Sequence, residues 1–93
     1  MTYRLVFDKR ALKEWKKLSQ PIAQQFKKKL AERLENPKVA SDKLSGYKSR
    51  YKIKLRSAGY RLVYEVNDNE ITVLVLAIGK RERGNVYQKA DKR

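Results

Sequence analysis

The chain has 93 residues, 41% of them hydrophobic, and carries 24 Lys and Arg against 10 Asp and Glu, a formal charge of +14. With no cysteine, disulfides, thiolate nucleophiles and Cys-based metal sites are excluded; with no histidine, so are the usual general base and the commonest metal ligand. The carboxylates are scattered, with no close pair resembling a Mg²⁺ or Zn²⁺ site, so any chemistry here is expected to run without metal or cofactor.

This length leaves room for a single domain over residues 1–93 with one modest core, burying only roughly 60–65% of its unfolded surface. Self-repulsion at such a charge costs stability, which points to an acidic partner, nucleic acid or protein. The plainer reading is a generically basic soluble protein. No signal peptide or membrane span is visible, because the longest apolar run, Ile71 to Ile78, is far too short. A cytoplasmic location without membrane contact is expected.

Tyr3 to Phe7 alternates like an opening strand, and Asp8 follows as a helix N-cap. A first helix is predicted from about Lys9 to Leu18, with Ala11, Leu12, Trp15 and Leu18 as its apolar stripe. Ser19 and Pro21 mark a break and restart. A second helix is predicted to about Glu35, with Ile22, Phe26, Leu30 and Leu34 at i+4 spacing, stopped by Asn36-Pro37. Lys27, Lys28 and Lys29 read as a solvated face of that helix rather than as phosphate contacts. Two such helices joined by a short break pair as a hairpin on one face of a sheet.

Pro37 to Arg50 is irregular, with Leu44, Gly46 and Tyr47 as anchors. Tyr51 to Val66 then reads as two strands joined at Ser57-Ala58-Gly59. In the first, Lys52, Lys54 and Arg56 alternate with Tyr51, Ile53 and Leu55, so the cations share one surface. In the second, Tyr60, Leu62, Tyr64 and Val66 face the core and Arg61 the other side. Between Lys43 and Tyr64 stand seven basic residues and no acidic one. Asn67-Asp68-Asn69 is hairpin-turn chemistry. Ile71 to Ile78 is apolar at nearly every position, as in a strand buried on both faces. After a charged turn from Lys80 to Gly84, Asn85 opens a short helix with Val86, Tyr87 and Ala90. That helix has no apolar finish at Lys92-Arg93 and is expected to be loosely held. The fold class is α+β in the order β-α-α-β-β-β-α, mainly antiparallel, with a helical hairpin on one face and cations on the other.

Lys52, Lys54, Arg61, Arg81 and Tyr87 are expected to converge on that cationic face. Cleavage of RNA by its own 2′-hydroxyl needs a base, cations on the phosphate and an acid at the leaving 5′-oxygen. Lysine serves as base only if its pKa falls, and crowding by like charges moves it that way. Arginine stays protonated and presents a planar fork to phosphate. Tyr87 can stack on a base or take part in proton transfer. Each residue also has a duller reading: a soluble strand face for Lys52 and Lys54, a pair with Glu65 for Arg61, a solvated turn for Arg81 and Arg83, packing for Tyr87. Composition and spacing support nucleic-acid binding and do not by themselves establish an enzyme.

FDKRALKEWKKL, YKIKLRSAGYRLVYEV and IGKRERGNVY together resemble the RelE family of bacterial toxin–antitoxin systems over nearly the whole chain. The resemblance implies a metal-independent, ribosome-dependent mRNA endonuclease that cuts the codon in the A site by 2′-hydroxyl attack. It implies Lys52 and Lys54 as active-site lysines, Arg61 and Arg81 as phosphate-stabilising arginines, and Tyr87 as the residue stacking on the mRNA base. Lys43, Lys48, Arg50, Arg56, Lys80 and Arg83 are then expected to contact ribosome or RNA. Where close relatives carry a basic residue before the loop glycine, this chain has Ser45, which weakens one contact to ribosomal RNA. The resemblance further implies an acidic, RelB-like antitoxin that displaces or covers the terminal helix, and operator DNA bound only by the toxin–antitoxin complex. ParE-like toxins, which inhibit DNA gyrase, share the fold and form the competing reading; a non-catalytic ribosome or RNA ligand is the third.

Overall fold

The computed structural model describes residues 2–80 and 85–93. Its elements run β1 (Arg4–Phe7), α1 (Lys9–Lys16), α2 (Gln20–Glu35), a 3-10 turn (Ala40–Asp42), β2 (Arg50–Leu55), β3 (Tyr60–Asn67), β4 (Thr72–Lys80) and α3 (Asn85–Asp91). The order is the one expected, with α1 ending two residues earlier and Tyr3 outside its strand. Asp8 caps α1 by accepting the Arg10 N–H at 2.9 Å, and Lys13 and Lys16 in the last turn oppose the helix dipole. Ser19 occupies the N-cap of α2 with proline in its first turn, where the missing N–H costs nothing.

The strands form one sheet in the order β1-β4-β3-β2. β1 runs parallel to β4, while β4, β3 and β2 are successively antiparallel. The long apolar strand β4 therefore lies inside the sheet, as its unbroken hydrophobicity predicts. One face packs on α1 and α2 through Ala11, Phe26, Leu30, Ile53, Leu62, Tyr64, Val73, Val75 and Ile78. Trp15 joins this core between Phe7 and Phe26, with ring centroids 5.4 and 6.3 Å away. Leu12, expected in the same stripe, is instead 39% exposed. Ala11, Glu14 and Trp15 of α1, with Leu18 just beyond its end, occupy the sheet-facing side, so a carboxylate takes the place in the stripe that Leu12 was expected to hold.

The other face is not left open to solvent. Val63, Leu76 and Ala77 are buried there beneath Val86 and Ala90 of α3. A bulge makes this possible. Val63 pairs with Ala77 but Tyr64 pairs with Val75, so Leu76 is an extra residue and both Leu76 and Ala77 turn toward α3. The parity of β4 flips at that point, Val73 and Val75 lying in the first core and Ile78 rejoining it.

The β3–β4 turn carries one backbone outlier. Ile71 has φ of 54°, a conformation costly for a β-branched side chain. It is held by a bond from Arg4 N to its carbonyl at 2.9 Å and by the turn in which Glu70 N donates to Asn67 Oδ1. Among the described residues no helix is long and apolar enough to cross a membrane.

Candidate active site

Lys52 and Lys54 stand on β2, an edge strand, and alternate with the buried Tyr51, Ile53 and Leu55. Both lysines are half-buried. The antiparallel register sets Arg61 directly opposite Lys54, a like-charge pairing that a sheet tolerates only at a cost. Tyr87 comes to the same place from the far end of the chain: with Val86 and Ala90 buried, its hydroxyl accepts a hydrogen bond from Arg61 Nη1 at 2.7 Å. Lys52, Lys54, Arg61 and Tyr87 are thus brought together as the sequence predicts.

Two adjoining clefts open on this cluster. One, of about 410 Å³, is lined by Lys43, Leu44, Ser45, Tyr47, Lys52, Arg61 and Tyr87. The other, of about 370 Å³, is lined by Lys54, Leu55, Arg56, Gly59, Tyr60 and Arg61. Arg61 borders both, so one guanidinium can reach an anion in either. The crowding has a consequence for proton affinity. The charge of Lys52, followed by partial desolvation and the charges of Arg61 and Arg56, pushes the Lys54 ammonium below the ordinary lysine value.

The outer residues divide. Lys43, Lys48, Arg56 and Lys80 are exposed, with Lys43 and Arg56 on the cleft walls. Arg50 is occupied: it donates to Glu65 at 3.1 Å and to Asp91 at 2.8 Å, and lies 4.4 Å over the Tyr47 ring. This also corrects the Arg61–Glu65 pairing, because Glu65 faces Arg50 directly across the ladder and Arg61 turns to Tyr87. Arg81 and Arg83 lie outside the described residues. Lys27, Lys28 and Lys29 are all exposed, as a solvated helix face requires.

Sequence reasoning missed the groups that brace the site. Arg33 on α2 donates to the Lys52 carbonyl at 3.2 Å and to Tyr64 Oη at 2.9 Å, and pairs with Asp42. It thereby holds β2 at the lysine. Glu14 accepts from Ile78 N, Lys89 and Arg93, and Asp91 from Arg50 and the Tyr47 hydroxyl. The terminal helix, expected to be loose, is docked through these polar contacts. The one legible signal was the position of Glu14 three residues after Ala11 and four before Leu18, on the buried stripe.

Residues 5–84 match the model of the ParE toxin of the type II toxin–antitoxin system parDE. The chain is 56% identical over its full length to the mRNA interferase toxin RelE of Escherichia coli (strain K12), covering 98% of it. Its structure matches that of a double arginine mutant of E. coli toxin RelE in the free state with a TM-score of 0.93 and 54% identity, over 100% of this chain and 98% of that one. It also matches the toxin of the intact E. coli RelBE toxin–antitoxin complex with a TM-score of 0.84 and 56% identity, over 87% of this chain and 99% of that one. A cationic strand pair closed by a docked tyrosine, on a chain this similar to RelE from end to end, leads to one conclusion: the protein belongs to the RelE family of type II toxins, within the wider group that the ParE model describes.

Proposed function

We propose that the protein is an mRNA endonuclease toxin that enters the ribosomal A site in the cytoplasm and cuts the codon there. The observation that carries this reading is the convergence of Lys52, Lys54, Arg61 and Tyr87 on one face, in a chain 56% identical to an mRNA interferase toxin.

In this reading the 2′-hydroxyl of the A-site nucleotide loses its proton to the lysine pair, and its oxygen attacks the adjacent phosphorus. The bond from phosphorus to the 5′-oxygen of the next nucleotide breaks, and the leaving oxygen takes up a proton from solvent. The products are a 2′,3′-cyclic phosphate and a 5′-hydroxyl. Lys54 has the lowered proton affinity a base needs, and Lys52, the largest cause of that lowering, acts as its electrostatic support. Arg61 exchanges the Tyr87 hydroxyl for a phosphate oxygen and holds the growing charge. Tyr87, released from Arg61, stacks on the base. Arg81 assists the leaving oxygen, as the family pattern implies. Lysine and tyrosine are slow proton-transfer groups near neutral pH, so the rate depends on orientation of the mRNA by the ribosome. Lys43 and Arg56 supply phosphate contacts on the cleft walls. Lys48, Lys80 and Arg83 add contacts to ribosome or RNA as the family pattern implies, and Arg50 fixes the rim from its ion pairs.

The charge of +14 calls for an acidic antitoxin, and a toxin of this family has been solved with the antitoxin RelB. Displacement of α3 by such a partner would carry Tyr87 off Arg61. The toxin–antitoxin pair would then bind its own operator. The ParE name of the matching family model favours inhibition of DNA gyrase as the second reading, which leaves the Lys52–Lys54–Arg61 cluster without a task.

Primer extension on ribosomes carrying a defined mRNA with an empty A site tests the proposal. A cut within the A-site codon, absent when the same mRNA is free, is the expected result. Intact mRNA on toxin-bound ribosomes would overturn it, and a gyrase supercoiling assay would follow.

A further inference from the structure

α3 is a poor candidate for a stable element on its own terms. It spans seven residues, well short of the length at which isolated helices persist in water. Its fully buried apolar anchors are Val86 and Ala90, with Tyr87 packed half-buried beside them. It carries Lys89, with Lys92 and Arg93 just beyond, and must settle beside Lys52, Lys54 and Arg61 on a chain of charge +14. Like charges oppose that docking.

Glu14 answers this from the opposite side of the sheet edge. β1 pairs with β4 only as far as Phe7 and Val75, so β4 emerges uncovered beyond that point. There the Ile78 amide donates to Glu14 Oε1 at 3.1 Å. The same oxygen accepts from Arg93 Nη1 at 2.6 Å, and Oε2 accepts from Lys89 Nζ at 3.0 Å. Arg93 Nη1 also donates to the Leu76 carbonyl at 3.0 Å, the extra residue of the bulge. One carboxylate thus closes the open edge of β4 and grips two cations spaced one helical turn apart. Glu14 and Arg93 are 19% and 9% exposed at their side chains, so the grip is only weakly screened by solvent. Asp91 fastens the other flank of α3 to Arg50 and Tyr47. Tyr87 lies one helical turn before Asp91 on that flank, with its hydroxyl on Arg61.

We propose that Glu14 is a positioning residue for the cleavage reaction: it clamps Lys89 and Arg93 so that α3 presents Tyr87 beside Arg61 and the lysine pair. The inference rests on the nuclease reading above. Charge-assisted hydrogen bonds of this kind are about twice as strong as neutral ones. Their loss frees the helix without touching a group that contacts RNA.

The test compares wild type, Glu14→Gln, Tyr87→Ala and the double variant in single-turnover cleavage on programmed ribosomes, with toxin in excess and times long enough for the slow variants. Glu14→Gln is expected to lower the saturating rate roughly tenfold while the half-saturating toxin concentration stays at the wild-type value. In the Tyr87→Ala background the same substitution is expected to cost nothing more, because it acts through Tyr87. Hydrogen exchange supplies a readout that does not depend on cleavage: the amides of 86–91 should exchange faster in Glu14→Gln, with those of 73–77 unchanged. Wild-type cleavage by Glu14→Gln, an equal loss with and without Tyr87, or unchanged exchange in α3 would each overturn the proposal. A wild type that leaves ribosomal mRNA intact would sink the nuclease reading itself, and this inference with it.

Discussion

Tyr64→Phe is a small change with a large expected effect. Tyr64 is wholly buried, and its hydroxyl donates to the Pro37 carbonyl at 2.6 Å while accepting from Arg33 Nη1 at 2.9 Å. Phenylalanine keeps the ring and its 5.7 Å stacking on Tyr51 but leaves a buried carbonyl without a donor and a charged guanidinium one acceptor short. An orphaned buried carbonyl costs about 1–3 kcal/mol and a lost hydrogen bond to a charged group about 1.5–3. Arg33 keeps Asp42 and the Lys52 carbonyl, so the two losses overlap and sum to roughly 2–4 kcal/mol. For a domain of this size, stable by roughly 5–14 kcal/mol, that is a large fraction. Each kcal/mol moves Tm by about 4–8 °C, so thermal unfolding followed by far-UV circular dichroism should show a fall of at least roughly 8 °C. Cleavage should also slow, because Arg33 is the side chain that fixes the Lys52 backbone. A variant with Tm within about 3 °C of wild type would refute the claim that this hydroxyl holds the Arg33 network together.

Three further outcomes follow from the site. Tyr87→Ala, or Arg81→Ala, should abolish growth inhibition while ribosome binding survives in a pelleting assay; full toxicity of both variants would show the site to be misplaced. Cleavage should rise with pH as Lys54 loses its proton, with a midpoint below that of an ordinary lysine. In Lys52→Met the largest cause of the lowered Lys54 pKa is gone, so the midpoint should move to higher pH; an unmoved midpoint would exclude Lys54 as the base. Ribosome affinity should fall steeply with salt, because it rests on phosphate neutralisation, and a flat salt profile would favour a protein target.

Part of this molecule follows from local rules alone. The cap at Asp8, the restart at Ser19 and Pro21, the alternation that puts Lys52 and Lys54 on one face, and the interior place of β4 all depend on residues a few positions apart. Such patterns depend little on tertiary context, which is why the element order and the shared face of Lys52 and Lys54 could be read directly. Tertiary structure decided the rest. β4 is apolar at nearly every position, so the pattern cannot register the bulge at Leu76, and it is this bulge that turns two residues toward α3. The docking of α3 rests on bonds between Glu14 and residues 75 and 79 positions away, and no local periodicity encodes contacts over that separation. In the sequence Glu14 stands among the charges of a basic helix, between Lys13 and Lys16. Only when the open edge of β4 and the cations of α3 are brought to it does its place on the buried stripe acquire a physical reason.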